Sequence, residues 1–161
     1  MEPNWGKKLF WLIGQSAVTA VILVLPPISS RHLAPTPLLP LAGFLGLLGG
    51  WLAYRGLRTL GKESSPFPYP NPEVPLQTTG VYGWIRHPIY ASQIYAGAGW
   101  ALFWWNWDGF WAWLVLTFWL WNKARVEERY LRLQYPEYEA YAQRVGQFFP
   151  KLRTFWKKSS S

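Results

Sequence analysis

No cysteine occurs in the chain, which excludes a disulfide framework and thiolate metal ligands. Histidine is scarce too: His32 and His87 are the only two, and the topology developed below puts them on opposite sides, so no metal site is expected. No Ser/His/acid set accompanies a strained nucleophile turn, and Gly80-x-x-Gly83 is too sparse a pattern for a phosphate loop. No internal repeat is present. The most informative absence is that of charge: residues 9–25, 38–54, 89–107 and 110–121 carry none at all.

What fills those runs is apolar and aromatic. Half of the 161 residues are hydrophobic and 13 are Trp, although the mean hydropathy is only −0.04. That average is misleading, because hydropathy scales treat Trp, Tyr and Pro as near neutral, and Trp and Tyr concentrate at bilayer interfaces. A spanning helix needs about 20 apolar residues, with about 17 as the lower limit. The first three runs meet that limit. The fourth is short, and its helix is expected to continue through Lys123 and Arg125, whose stems can snorkel to the interface. The fold class that follows is all-α: a polytopic membrane protein of about four transmembrane helices, the last two a hairpin, with an amphipathic helical tail. By length it is one domain over 1–161, with two N-terminal spans in 1–60 and a hairpin-and-tail core in 61–156.

Charge gives an independent check. With both termini on one side, only Arg31 of the 16 basic residues lies opposite, and the positive-inside rule makes the crowded side cytoplasmic. The expected location is an integral membrane protein, in the inner membrane if the source is bacterial. Arg31-His32 then faces outward and Lys157-Lys158 inward. The net charge of +8 serves orientation and contact with the lipid bilayer; a nucleic-acid partner would call for a soluble basic face. Residues 9–25 after Lys7-Lys8 resemble a signal peptide, but the run is too long, Pro26-Pro27 is a poor cleavage site, and cleavage would spoil the charge asymmetry.

Between the spans, residues 26–40 read as a Pro-rich outer loop. Gly43, Gly46, Gly49 and Gly50 form a small-residue stripe suited to close helix packing in lipid. Pro66, Pro68, Pro70, Pro72 and Pro75 make 61–77 an extended segment, a linker or a wall for a ligand. In the tail, Tyr130, Leu131, Leu133, Tyr138, Tyr141, Val145, Phe148 and Phe149 recur at helical steps broken at Pro136, predicting an amphipathic helix lying on the cytoplasmic face. Residues 157–161 are expected to fray.

Two polar clusters flank the hairpin: 78–90, containing Arg86-His87-Pro88-Ile89-Tyr90, and 123–128, containing Lys123, Arg125, Glu127 and Glu128. Asn106, Asp108 and Gly109 supply the turn. Each leg is then about 18 residues, roughly 27 Å, so His87 and Tyr90 return to the depth of Glu127 and the clusters become one site. Singly, each residue has a plain role: His87 as a helix cap before Pro88, Arg86 as an interfacial anchor, the two glutamates as solvated charge. Together they are ionisable groups at membrane depth, which are costly and usually functional. A helix N-terminus seats an anionic group, Glu127 offers an acceptor for hydroxyls or an amine, and Lys123 lies on its helix face. A zwitterionic, ribose-bearing cofactor suits such a site better than a metal.

The run Gly80-Val81-Tyr82-Gly83-Trp84-Ile85-Arg86-His87-Pro88-Ile89-Tyr90, followed by a hairpin, Glu127-Glu128, Tyr138, Tyr141 and Pro150, resembles the isoprenylcysteine carboxyl methyltransferase family and the related phospholipid methyltransferases. The resemblance covers roughly residues 66–150. It implies S-adenosyl-L-methionine as donor, bound from the cytosolic side, with Leu76, Gln77, Tyr82, His87, Pro88, Ile89, Tyr90 and Glu127 as the matching contacts. The family's substrate-carboxylate Arg, one turn before the Glu, is replaced by Lys123, with Arg125 nearby; these two are the candidate substrate contacts. Ala91 stands where Gly is frequent, and Tyr135-Pro136 where Phe-Gly is usual. The implied partner is a lipophilic or small methyl acceptor presenting a carboxylate, amine or thiol. Two alternatives remain open. Membrane sterol reductases using NADPH share Arg-His-Pro-x-Tyr, yet carry Asn where this chain has Ile89 and an Arg-Asp pair where it has Glu127-Glu128. A non-catalytic membrane subunit is the other.

Overall fold

The computed structural model describes residues 5–30, 33–63, 65–71 and 73–151. The expectations for Arg31-His32, Pro72 and Lys157-Lys158 lie outside the described residues. Among the described residues five α-helices follow in order: α1 (Trp5–Ser29), α2 (Leu39–Leu60), α3 (Pro88–Trp104), α4 (Trp107–Gln134) and α5 (Tyr138–Arg144). Short 3-10 turns precede α2 and follow it, and another, Gly80–Gly83, leads toward α3. The chain is all-helical. Among the described residues its one sheet-like contact is a parallel bridge between Ile85 and Gly146.

The expected outer loop is shorter than its prolines suggest, because α1 runs through Pro26 and Pro27 to Ser29. Pro26 and Pro27 have no N–H to give to the carbonyls one turn earlier, and the helix end is fastened instead through its own terminal carbonyls. Asn106 Nδ2 donates to Pro26 O at 2.8 Å and Ser30 N–H to the same oxygen at 2.9 Å, while Ser29 Oγ donates to Leu25 O. Asn106 also caps α4, its side chain accepting from Gly109 N at 2.6 Å. The hairpin turn is therefore Trp105-Asn106, with Trp105 left-handed at φ 48°, and Asp108 already lies in the first turn of α4, where the helix dipole favours it.

α2 packs most extensively on α3, and α1 on α4. The small-residue stripe accounts for the first pairing only in part. A Cβ at Gly49 would stand 2.6 Å from Ser92 O and 2.8 Å from Ala96 Cβ, and one at Gly99 would stand 2.6 Å from Ala42 O, whereas Gly43, Gly46 and Gly50 have nothing within 4 Å. Gly49→Ala should therefore destabilise by about 1–3 kcal/mol, because backbone must move to admit the methyl. Gly50→Ala should be neutral or stabilise by about 0.5–1 kcal/mol, since Gly in a helix interior is costly. Thermal melting of the detergent-solubilised variants checks the pair; equal losses would show that the α2–α3 contact does not depend on close approach.

Two helices, Trp5–Ser29 and Thr36–Leu60, are long and apolar enough to cross a membrane, and only 17% of each apolar window is buried. A soluble core helix of that composition would be mostly covered, whereas here Phe44 and Leu47 lie exposed. The tail departs from expectation in a different way. α4 continues unbroken to Gln134, and much of the apolar side of the tail packs on protein, with Tyr138, Tyr141, Val145 and Phe148 buried, while Leu133 and Phe149 stay exposed. Tyr138, Tyr141 and Val145 form a small core of their own.

Candidate active site

The tail is strapped onto the upstream cluster by backbone. Arg86 N–H donates to Gly146 O at 2.8 Å and His87 N–H to Gln147 O at 3.2 Å. His87 is the residue before α3, Pro88 its first residue, and α4 arrives from the opposite direction with Glu127 and Glu128. The two glutamates then diverge. Glu128 is only 5% exposed and joins three segments. Its Oε1 accepts from Arg86 Nη2 at 2.9 Å, Arg86 Nε at 3.1 Å and Gln147 Nε2 at 3.2 Å, and lies 3.1 Å from His87 Nε2. Its Oε2 accepts from Arg132 at 3.2 Å. Arg86 also donates to Ala142 O at 3.0 Å and to Val145 O. Taken singly in the sequence, Arg86 has the plain role of an interfacial anchor; in the structure it is a largely enclosed clasp on the tail that also borders the cavity that Glu127 faces.

Burial alone would raise the Glu128 carboxyl, but the hydrogen bond and charge of His87, then those of Arg86, outweigh it and hold it at about 2. Unfolded, the group titrates near its ordinary 4.5, so the unfolded chain takes up the proton first as pH falls. The stability from this carboxylate is fully present above the ordinary carboxyl range and is lost toward about pH 2. Melting curves over that window should show a falling midpoint, with the slope reduced in Glu128→Gln; an unchanged slope would assign the acid sensitivity elsewhere.

Glu127 points the other way, into a cavity of about 530 Å³. Tyr90 Oη donates to Glu127 Oε2 at 2.6 Å, and the His87 ring stacks on the Tyr90 ring with centroids 5.4 Å apart and planes 8° from parallel. His87 Nδ1 stands 3.8 Å from Glu127 Oε1. Of the residues singled out in the sequence, Leu76, Gln77, Tyr82, His87, Ile89, Tyr90, Glu127 and Lys123 line this cavity. Pro88 and Arg125 do not: Pro88 is packed beside Gly56, and the Arg125 guanidinium lies 4.7 Å over the Trp121 ring. The Pro-rich segment supplies a wall, held by Gln134 Nε2 donating to Asn71 O at 3.1 Å and by Tyr135 Oη donating to Val74 O.

Tyr138, Gln15 and Gln93 are among the lining residues that the sequence did not single out as contacts. Tyr138 is 1% exposed, and its hydroxyl has no hydrogen-bond partner. Gln15 and Gln93 sit at the inner end; both are amides inside charge-free runs, a signal that a search for charge alone passes over. Burial, then the nearby Glu127, pushes the Tyr82 phenol far above its usual range, and burial does the same at Tyr138 and Tyr141. The wall thus presents, among the described residues, neutral hydroxyls and aromatic faces around one partly exposed carboxylate, Glu127, with Arg86 and Lys123 also on the lining. Among the described residues no group of three or more His, Cys, Asp or Glu is placed to hold a metal.

The family model described as phospholipid methyltransferase matches residues 39–138, from the start of α2 to the start of α5. No curated protein and no solved structure matches the chain.

Proposed function

The chain belongs to the phospholipid methyltransferase family, and from that premise we propose that it is an integral-membrane enzyme moving the methyl group of S-adenosyl-L-methionine onto a lipophilic or small acceptor. The observation that carries this assignment is the single cavity to which both polar clusters contribute, with Glu127 and Tyr90 joined at 2.6 Å across the hairpin. The lining suits the donor. Glu127 offers a carboxylate to ribose hydroxyls or to an ammonium, Tyr138 has a hydroxyl without a partner, and tyrosine faces favour a cationic sulfonium. Leu76, Gln77, Tyr82, His87, Ile89 and Tyr90 complete the proposed contacts, and Pro88 acts by fixing the first turn of α3.

When bound, the donor supplies an electrophilic methyl carbon, whose bond to sulfur leaves its electron pair on sulfur as an acceptor lone pair forms the new bond. The protein's part is alignment and exclusion of water. Positioning alone can lower such a barrier by up to roughly 7–11 kcal/mol. A carboxylate acceptor needs no general base, whereas an amine must arrive neutral.

The same reading gives four spans with both termini cytoplasmic. α3 is 17 residues long and lines the bundle interior, while α4 turns Trp111, Val115 and Phe118 outward, an apolar face suited to lipid. The donor site then opens to the cytosol. Membranes carrying the chain, given methyl-labelled donor, should transfer label to an extractable product, and membranes carrying Glu127→Gln should transfer far less at limiting donor. Absence of transfer to any membrane or added acceptor would overturn the proposal.

A further inference from the structure

The donor cavity has walls of unequal strength. α3 and α4 carry the main core, and the tail is tied down by the Gly146 and Gln147 backbone bonds and by the Glu128 clasp. The Pro-rich strap from 65 to 77 is held differently. It supplies more of the cavity's lining than any helix does, yet its described residues form no helix or strand. Five of the ten positions from 66 to 75 are proline, which has no N–H to give to a neighbouring backbone and keeps a chain extended and stiff.

Side chains at the end of α4 fasten it. Tyr135 Oη donates to Val74 O, and Gln134 Nε2 donates to Asn71 O at 3.1 Å. Gln134 Nε2 also donates to Tyr135 Oη at 2.6 Å, so the two residues set each other's direction. Beside them Pro68 is buried and Tyr69 meets the Tyr130 ring edge-on at 5.2 Å. One end of the strap is anchored by Leu76, which packs on the Tyr138 core. Toward the other stands Gly61, the residue after α2, at φ 55° with nothing within 4 Å of a Cβ placed there. Glycine takes that left-handed conformation without strain and leaves an open pivot. Phe is usual at the place of Tyr135 in the carboxyl methyltransferases that the chain resembles. A Phe would leave Val74 O without its donor, so the fastening is this chain's own.

We propose that the strap is the gate of the donor cavity, and that Tyr135 and Gln134 are the latch whose release sets how fast donor enters and leaves. The inference rests on the donor reading of this cavity, and it gives Tyr135 a kinetic role outside the proposed donor contacts. Release breaks the latch bonds to the carbonyls of Asn71 and Val74, which water can serve once the strap lifts. Opening any other wall would break the helix core or strand Arg86. The strap is therefore the wall with the fewest bonds to lose, and local opening starts at such segments.

The absence of cysteine allows the strap to be locked and labelled at chosen positions. Full-length protein in nanodiscs, carrying Asn71→Cys and Gln134→Cys, is joined across the latch by a short reducible bis-thiosulfonate linker. Association and dissociation of S-adenosyl-L-methionine, read by surface plasmon resonance, should both be nearly abolished by the linker and restored by reductant. Tyr135→Phe in the cysteine-free chain should raise both rate constants by about two- to tenfold, as expected for one neutral hydrogen bond, and leave their ratio nearly unchanged. A residue that only touched bound donor would raise dissociation alone. Nitroxide labels at Glu73→Cys and Arg129→Cys follow the strap without donor, and Tyr135→Phe should add a longer distance between them. Melting curves verify that each variant is folded. Exchange indifferent to the linker, dissociation alone raised by Tyr135→Phe, or a label distance unmoved by that change would overturn the proposal. A protein that binds no S-adenosyl-L-methionine yet shows the longer distance would remove the donor reading while leaving the latched gate standing over a cavity for another ligand.

Discussion

Glu128→Ala should lower stability by about 3–5 kcal/mol, the cost typical of removing one partner from a buried ion pair. The carboxylate takes hydrogen bonds from Arg86, Gln147 and Arg132 and lies 3.1 Å from His87 Nε2, so its loss strands the Arg86 guanidinium inside the protein. Arg86 would retain only the carbonyls of Ala142 and Val145. The segment from α5 to residue 151 depends most on this cluster and should become the first site of proteolysis. A joint Arg86→Met, Glu128→Leu replacement should recover much of the loss, because it removes both charges rather than one. Chemical unfolding in detergent measures all three. A loss below about 1 kcal/mol for Glu128→Ala would place the pair among solvated surface salt bridges.

Glu127→Gln should weaken donor binding by roughly 1.5–3 kcal/mol, about ten- to 150-fold, with little loss of stability. Gln keeps an oxygen to accept from Tyr90 Oη and a similar volume, so the change isolates the charge that faces the cavity. His87→Ala should give a comparable loss of affinity, but it also removes a partner of Glu128, so its melting point must fall as well. The two neighbouring glutamates thus separate by readout: 127 moves affinity, 128 moves stability. Calorimetry and melting on the same preparations settle the comparison, and a variant pattern with those readouts exchanged would invert the assignment.

The charge-free runs and their flanking clusters made the hairpin legible, since a leg of fixed rise must return its far end to the starting depth. They also brought His87, Tyr90, Glu127 and Lys123 to one place. Helical spacing set Glu127 and Glu128 about 100° apart, but it could not say which faced the cavity, because that depends on Arg86 and Gln147 arriving from 42 and 19 residues away. The continuation of α1 through Pro26-Pro27 was hidden for the same reason: its end is held by Asn106, 80 positions distant. The tail's apolar periodicity was real, yet periodicity does not distinguish a bilayer surface from a protein core. Gln15 and Gln93 went unnoticed because neutral amides barely disturb an apolar run, although they hydrogen-bond to each other inside the bundle.

The most direct measurement is a titration of purified full-length protein with S-adenosyl-L-methionine and, separately, with NADPH. The account predicts saturable binding of the first, weakened in Glu127→Gln and preserved in Lys123→Met, and no binding of the second. Binding of NADPH instead, or of S-adenosyl-L-methionine with an affinity indifferent to Glu127, would contradict it.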